Sequence, residues 1–418
     1  MTDTPADSRA DTDDRADSGV AADSEVADDD HVDSGVAAHS PFDTVTDEQV
    51  LAGRATDAYF RRTRETLTGA DRTPEVVAEV TVDQFPTGGF DLLAGVENAV
   101  ELLAGRDVDV AALPPGTLFD GGPVMRIEGS YLAFAELETA LLGFLSHATG
   151  VATAALRCRR AAPETTLLSF GARHVHPAIA GMVEKSALQA GFDGFSHVAA
   201  GDQLDRDPSG TMPHALVICF GREDRADAWR AFAEAAPDRT PTVALCDTYD
   251  DEVSEVLAAV DELGDELDGV RLDTTGSRRG DFRAIAREVA WELDARGHDD
   301  VDIFLSGGLG PADLRELRGV ADGFGVGGFV SNADPVDCSV DLVEVDGEPA
   351  AKRGKLSGAK SVYRTPEGGH HVGRRDRDGP ADGESLLEPV IENGDRVVSF
   401  DVDATAERAL VDAERVGF

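Results

Sequence analysis

Residues 301–328 read VDIFLSGGLGPADLRELRGVADGFGVGG, and this stretch decides the fold. The apolar run Ile303–Leu305 ends at Ser306-Gly307-Gly308. Pro311 then opens a helical segment, Ala312–Val320, and a second apolar run covers Gly325–Val330. Strand, glycine turn, helix and strand in this order make a βα unit of a parallel sheet. A glycine pair just ahead of a helix also leaves bare backbone N–H groups, which suit a phosphate. A plain turn uses the same residues. The second glycine cluster, Gly325–Gly328 on the next strand, favours the phosphate.

The same rhythm extends outward from this unit. Strands are predicted at Leu167–Phe170, Gly194–Ala199, Ala215–Phe220, Val243–Cys246 and Val270–Leu272. Helices are predicted between them at Ala178–Ala190, Arg225–Ala235, Glu252–Leu263 and Asp281–Arg296. About seven such units indicate an α/β barrel. An open doubly wound sheet would carry an early glycine-rich dinucleotide fingerprint, and none follows the first strand.

The flanks read differently. Thr44–Leu67, Phe90–Leu103 and Leu132–Gly150 have helical patterning, while Glu75–Gln84 alternates like a strand. Beyond residue 340 the pattern gives short antiparallel strands at Asp341–Val345, Pro349–Lys352, Val362–Tyr363 and Val397–Phe400. A loop is expected over 366–386 and a last helix over Ala404–Arg415. The expected organisation is a barrel over 121–338 and a second α/β sandwich domain made from 44–120 and 339–418. Residues 1–43 are expected to be a disordered acidic tail, because residues 1–40 hold 12 acids, four valines and no aromatic.

The chain has 418 residues with 81 acids against 38 bases, a formal net charge of −43. Such a surface repels nucleic acid and anionic membranes. Only four of the bases are lysines. Dense carboxylate with little lysine fits a solvent of molar salt, where the Debye length is only about 3 Å. Most acids are therefore read as solvation. Charges interrupt the apolar runs, so no membrane span is expected, and no export signal is read at the start. A cytoplasmic location follows. Four cysteines, 61, 27 and 92 residues apart, give neither a disulfide framework nor a zinc motif.

In a parallel barrel, chemistry sits at the C-terminal ends of strands. Those ends carry Phe170–His174, Ser196-His197, Asp247–Tyr249, Arg271–Gly276, Ser306–Leu309 and Gly325–Gly328, and Gly210–His214 enters a predicted strand. Asp247 and Asp273 can bind sugar hydroxyls or magnesium and face a cationic transition state. Asp247 can equally be a helix N-cap. Arg271 matches a phosphate. Among His174, His176, His197 and His214 at least one is read as chemical. Three of the four lysines, Lys352, Lys355 and Lys360, lie within nine residues. They suit a phosphate or simply pair with the acidic surface.

Taken in order, these segments resemble the nicotinate phosphoribosyltransferases in their archaeal form. The matching pieces are Thr56–Phe60, Ser169–Arg173, Gly210–His214, Asp247–Tyr249, Arg271–Asp273, Ser306–Gly308, Phe324–Gly327 and Lys352–Lys360. The resemblance implies an incomplete or irregular barrel of the type II phosphoribosyltransferase kind. It implies that nicotinate displaces pyrophosphate from phosphoribosyl pyrophosphate, giving nicotinate mononucleotide, with ATP as co-substrate. His214 would be the histidine phosphorylated in passing. Tyr59 and Phe170 would sandwich the pyridine, with Tyr59 donated by another subunit of a homo-oligomer. Arg173 would meet phosphate or the nicotinate carboxylate. Asp247 and Asp273 would hold ribose and Mg2+. Arg271, Ser306, Gly307, Gly308, Gly325 and Gly327 would hold phosphate, and Ser196, Lys352 and Lys355 are further candidates.

Some archaeal relatives carry a cysteine-based zinc knuckle. The region after Arg364 holds only His370-His371, so no structural zinc is expected. Three rivals remain. A quinolinate phosphoribosyltransferase would need a denser basic pocket, which Arg157, Arg159 and Arg160 could supply. A nicotinamide-using relative would differ at one residue by the ring. A non-catalytic barrel binding a phosphorylated metabolite would not need His214 or Asp273.

Overall fold

Two sheets share one long helix. The structure, a computed structural model, describes residues 42–84, 89–236, 240–274, 276–366, 368–377 and 385–418. The expected tail lies outside these residues, save for 42 and 43. Thr44–Phe418 form one compact unit.

The first sheet is parallel and has six strands. Their spatial order is Gly194–Phe195, Thr166–Ser169, Gly323–Val326, Asp302–Ser306, Gly269–Leu272 and Val243–Leu245. Every pairing is parallel. Both faces are covered, so Leu167, Val270, Leu272, Leu305 and Phe324 are fully buried.

The expected strand Ala215–Phe220 is instead part of the helix His214–Phe220. A short apolar run fits either state. Helical spacing here buries Val217 and leaves Ile218 and Phe220 exposed. The strand at Gly194 is also shorter than expected, because a helix starts at Val198. The terminal strands Gly194–Phe195 and Val243–Leu245 are not neighbours in the sheet, and three helices lie between them in sequence.

The second sheet is antiparallel and has seven strands. Its longest strand, Glu75–Gln84, is flanked by Asp337–Val345 and Pro123–Ser130. Val108–Ala112 and Glu388–Glu392 extend it on one side. Sequence patterning missed four of these strands, Val108–Ala112, Pro123–Ser130, Glu388–Glu392 and Asp395–Arg396, and the expected strand Val397–Phe400 lies outside the strands. The expected loop 366–386 contains the strand His370–Arg374, paired with Lys360–Arg364.

The helix Glu138–Ala161 joins the two cores. Its first turns pack Leu141 and Leu145 against the antiparallel sheet. Its later turns pack Val151, Ala155 and Cys158 against the parallel one. With the residues from Tyr131 onward it is long and apolar enough to cross a membrane, contrary to the sequence expectation, yet 61% of that window is buried inside the fold. It is a core helix, each buried leucine contributing roughly 1.5–3 kcal/mol.

Candidate active site

The C-terminal ends of the parallel strands open into a cavity of about 460 Å³. Phe170, Arg173, Ser196, Arg271, Asp273, Ser306, Gly307, Gly308, Gly325 and Gly327 all line it. The strand geometry delivers them, since each lies within a few residues of a strand end.

Arg271 organises the floor. Its Nε donates to Ser306 Oγ at 3.1 Å, and one Nη donates to Asp273 Oδ2 at 3.1 Å. The other Nη donates to Thr211 Oγ1, in the loop that leads to His214. Its guanidinium lies 5.7 Å from the centroid of the Phe170 ring. One side chain thus ties together three strand ends and the histidine loop.

His214 stands at the first turn of its helix, with its Nε2 3.0 Å from Asp247 Oδ1. That hydrogen bond is the main reason its pKa rises above the ordinary histidine value, against the effect of burial. The Asp247 side chain is only 1% exposed. Its Oδ2 accepts from the Asp273 amide at 2.6 Å and from Thr274 Oγ1 at 3.1 Å. Asp247 is therefore bonded through both oxygens and sits behind His214, while Asp273 faces the cavity. It is not the cap of the helix Glu252–Leu263, a role Asp251 takes. Glu255 pins the loop between them, accepting from the amides of Thr248, Tyr249 and Asp250 at 2.8, 2.8 and 3.0 Å. Sequence reasoning missed Glu255. Its only signal was a carboxylate one turn into the helix after Asp-Thr-Tyr.

The glycines have stated reasons. Gly307 and Gly308 have φ of +98° and +73°, a region that disfavours other residues. A Cβ on Gly325 would collide with the Phe170 ring. The Gly325 backbone is thus a platform for that ring.

Five expected site residues do not line this cavity: His214 and Asp247, which adjoin it through Pro213 and Asp273, and Tyr59, Lys352 and Lys355. Tyr59 is 57% exposed on the helix Ala58–Gly69. Lys352 and Lys355 each bind the buried Asp341 at 2.8 Å, so their observed partner is a carboxylate of the same domain core rather than the acidic surface. Of the arginines offered for a quinolinate pocket, Arg159 is spent on backbone carbonyls and Asp193, and Arg160 reaches the carbonyl of Phe418. Arg157 lines a different cavity.

Among the described residues, no three His, Cys, Asp or Glu side chains gather as a metal site. The residues fit a magnesium ion brought by substrate phosphates, with Asp273 as the protein carboxylate, which is the usual arrangement for that ion. Asp247 would then act from behind rather than as a ligand.

Glycine-lined backbone and an arginine hub at parallel strand ends, beside a histidine–carboxylate pair, define an enzyme that handles phosphorylated substrates. Two family models match: quinolinate phosphoribosyl transferase N-terminal domain over residues 57–149 and its C-terminal domain over residues 151–341. The nicotinate phosphoribosyltransferase pncB1 of Mycobacterium tuberculosis is 30% identical over 384 residues, covering 82% of each chain. The crystal structure of nicotinate-nucleotide pyrophosphorylase from Pyrococcus furiosus superposes with a TM-score of 0.86 at 44% identity, covering 91% of this chain and 99% of that one. Human nicotinic acid phosphoribosyltransferase shares the fold, with a TM-score of 0.73 at 22% identity over 86% of this chain and 94% of that one. The chain belongs to the nicotinate phosphoribosyltransferase family.

Proposed function

We propose that the protein is a nicotinate phosphoribosyltransferase of the archaeal form. It joins nicotinate to phosphoribosyl pyrophosphate, releases pyrophosphate and couples the step to ATP hydrolysis, as an entry to NAD salvage in the cytoplasm. In this reading residues 121–338 form an incomplete α/β barrel, and residues 44–120 and 339–418 form the sandwich domain.

One observation carries the choice of substrate. Arg173 and Arg271 are the arginines lining the cavity among the described residues. Arg271 is already bonded to Ser306, Thr211 and Asp273. Among the described residues, Arg173 has only a 3.4 Å contact with the neighbouring His174. One open guanidinium suits one ring carboxylate, as in nicotinate, rather than the two of quinolinate. The quinolinate family models favour the second reading, a decarboxylating enzyme.

Phe170 stacks on the pyridine and Arg173 meets its carboxylate, which aims the ring nitrogen at the anomeric carbon. The Gly307, Gly308 and Gly327 amides hold the 5-phosphate. Asp273 faces the oxocarbenium-like charge of the transition state. Magnesium, when bound, offsets charge on the departing pyrophosphate. Nε2 of His214 donates to Asp247, so Nδ1 is the nitrogen left to attack the γ-phosphorus of ATP, with ADP leaving. Water later cleaves that N–P bond. Tyr59 completes the ring site from another subunit of a homo-oligomer.

The test is product formation in molar KCl with magnesium and phosphoribosyl pyrophosphate. Nicotinate, nicotinamide and quinolinate are offered separately, each with and without ATP. Nicotinate mononucleotide from nicotinate, made faster with ATP, is the expected result. Carbon dioxide release from quinolinate would move the protein to the sister activity. No turnover of any of the three by folded protein would favour a phosphometabolite sensor.

A further inference from the structure

Directly behind the ring site lies a carboxylate that the reaction above does not use. Glu184 projects from the helix Pro177–Gln189 and is completely buried. Two polar groups face it, the hydroxyl of Ser169 and the backbone amide of Ser196. Among the described residues, neither Glu184 oxygen closes a hydrogen bond of normal geometry, and the buried Ser169 hydroxyl closes none either.

The location gives these groups meaning. Ser169 ends the strand Thr166–Ser169 and immediately precedes Phe170, whose ring forms one wall of the cavity. Ser196 follows the neighbouring strand Gly194–Phe195 and lines the cavity itself. The two strands are in parallel register, with Ser169 opposite Phe195. Glu184 therefore stands behind the junction of two strand ends that both present ring-site residues.

A buried carboxyl without partners is costly, and a leucine there would pack more favourably. Burial drives its pKa up to about 7, and the only opposing effects come from Ser169 and Ser196. A carboxyl that keeps its proton near neutrality can donate through one oxygen and accept through the other. It can accept from the Ser196 amide while exchanging a hydrogen bond with the Ser169 hydroxyl. A small tightening of the two strand ends closes both bonds at once.

We propose that Glu184 is a positioning residue for the pyridine: it braces Ser169 and Ser196 from behind, so that Phe170 and Ser196 present a fixed surface to the ring. The inference rests on the nicotinate reading of the same cavity. In that reading the phosphate side is served by other residues, Gly307, Gly308 and Gly327. Loss of the brace therefore acts on the ring and leaves phosphoribosyl pyrophosphate alone.

The experiment compares the wild type with Glu184→Gln, Glu184→Ala and Glu184→Leu. KM for nicotinate, KM for phosphoribosyl pyrophosphate, kcat and melting temperature are measured for each. The alanine and leucine variants are expected to raise the nicotinate KM about tenfold, the worth of one or two hydrogen bonds. The other two kinetic constants should change less than about twofold. The glutamine variant, which can still bond both partners, should return to within about threefold of wild type. The leucine variant separates packing from function, since it should melt no lower than wild type and still show the KM defect. A nicotinate KM that does not move, or a loss spread equally over both substrates and kcat, overturns the proposal. A wild type that uses quinolinate and not nicotinate overturns the functional reading alone, and the same split measured with quinolinate then decides the brace. A wild type that turns over neither overturns both.

Discussion

His214 and Asp247 form a hydrogen-bonded pair, 3.0 Å apart, in which the carboxylate is buried and the imidazole is partly exposed. Asp247 raises the histidine pKa, chiefly through that bond. The phosphoryl-accepting form is the neutral imidazole, so ATP hydrolysis should fall on the acid side as His214 takes up its proton. Asp247→Asn removes the stabilising charge. Its acid limb should shift to lower pH, while the rate drops about 10²–10⁴-fold because the ring loses its orientation. The linked stability has the opposite pH sense from a carboxylate. It is fully present below the unfolded histidine pKa near 6.5 and is lost as pH rises through the higher folded value. The pH profile of ATP turnover in the two proteins is the check, and an unmoved acid limb would sink the assignment.

Arg271→Lys should behave as a severe change despite conserving charge. The guanidinium serves Ser306, Asp273 and Thr211 at once and lies against Phe170. A lysine ammonium cannot reproduce that fork. The side chain is only 12% exposed, so partners left unpaired stay unpaired. A loss of about 2–3 kcal/mol in stability is expected, together with a fall of about 100-fold in kcat/KM. Denaturant unfolding and steady-state kinetics measure the two separately. A lysine variant with wild-type kcat/KM would show that Arg271 is not the hub.

The strand-end chemistry was legible because it is local. Ser306-Gly307-Gly308 must turn tightly after an apolar run whatever the rest of the chain does. The helix His214–Phe220 was not legible, since six apolar residues in a row carry no period and only tertiary packing selects the face built on Val217. The antiparallel sheet was hidden for a related reason. Pro123–Ser130 pairs on one side with Glu75–Gln84 and on the other with Val108–Ala112, and such long-range partners leave little mark in a local pattern. The direction of Asp247 was also invisible. Nothing in Asp-Thr-Tyr says that the carboxylate turns inward to His214 rather than out to the substrate.

Two glycine substitutions should separate the two halves of the substrate site. Gly325→Ala places a Cβ into the Phe170 ring, so the ring must move. The expected result is a loss of about 1–3 kcal/mol in stability and a raised KM for nicotinate. Gly308→Ala meets no side chain, but its φ of +73° strains any residue with a Cβ. It should cost about 1 kcal/mol and raise KM for phosphoribosyl pyrophosphate. Melting curves with both KM values for each variant are the measurement. Identical KM changes for the two variants would refute the division.

Tyr59 gives the sharpest test of shared sites. It is mostly exposed and does not line the cavity of its own chain. Tyr59→Ala should therefore change stability by less than about 0.5 kcal/mol. If Tyr59 serves a neighbouring subunit, the same variant should still lose most of its nicotinate turnover. His214→Ala should be inactive for a different reason, within its own subunit. Mixing the two inactive variants and allowing subunits to exchange creates sites with Tyr59 from one chain and His214 from the other. For random dimers at equal amounts, about a quarter of wild-type activity should return, because half the dimers then hold one intact site of two. Size-exclusion chromatography establishes that exchange has occurred. Exchanged but inactive mixtures would place the function of Tyr59 within its own chain or remove it from the site altogether.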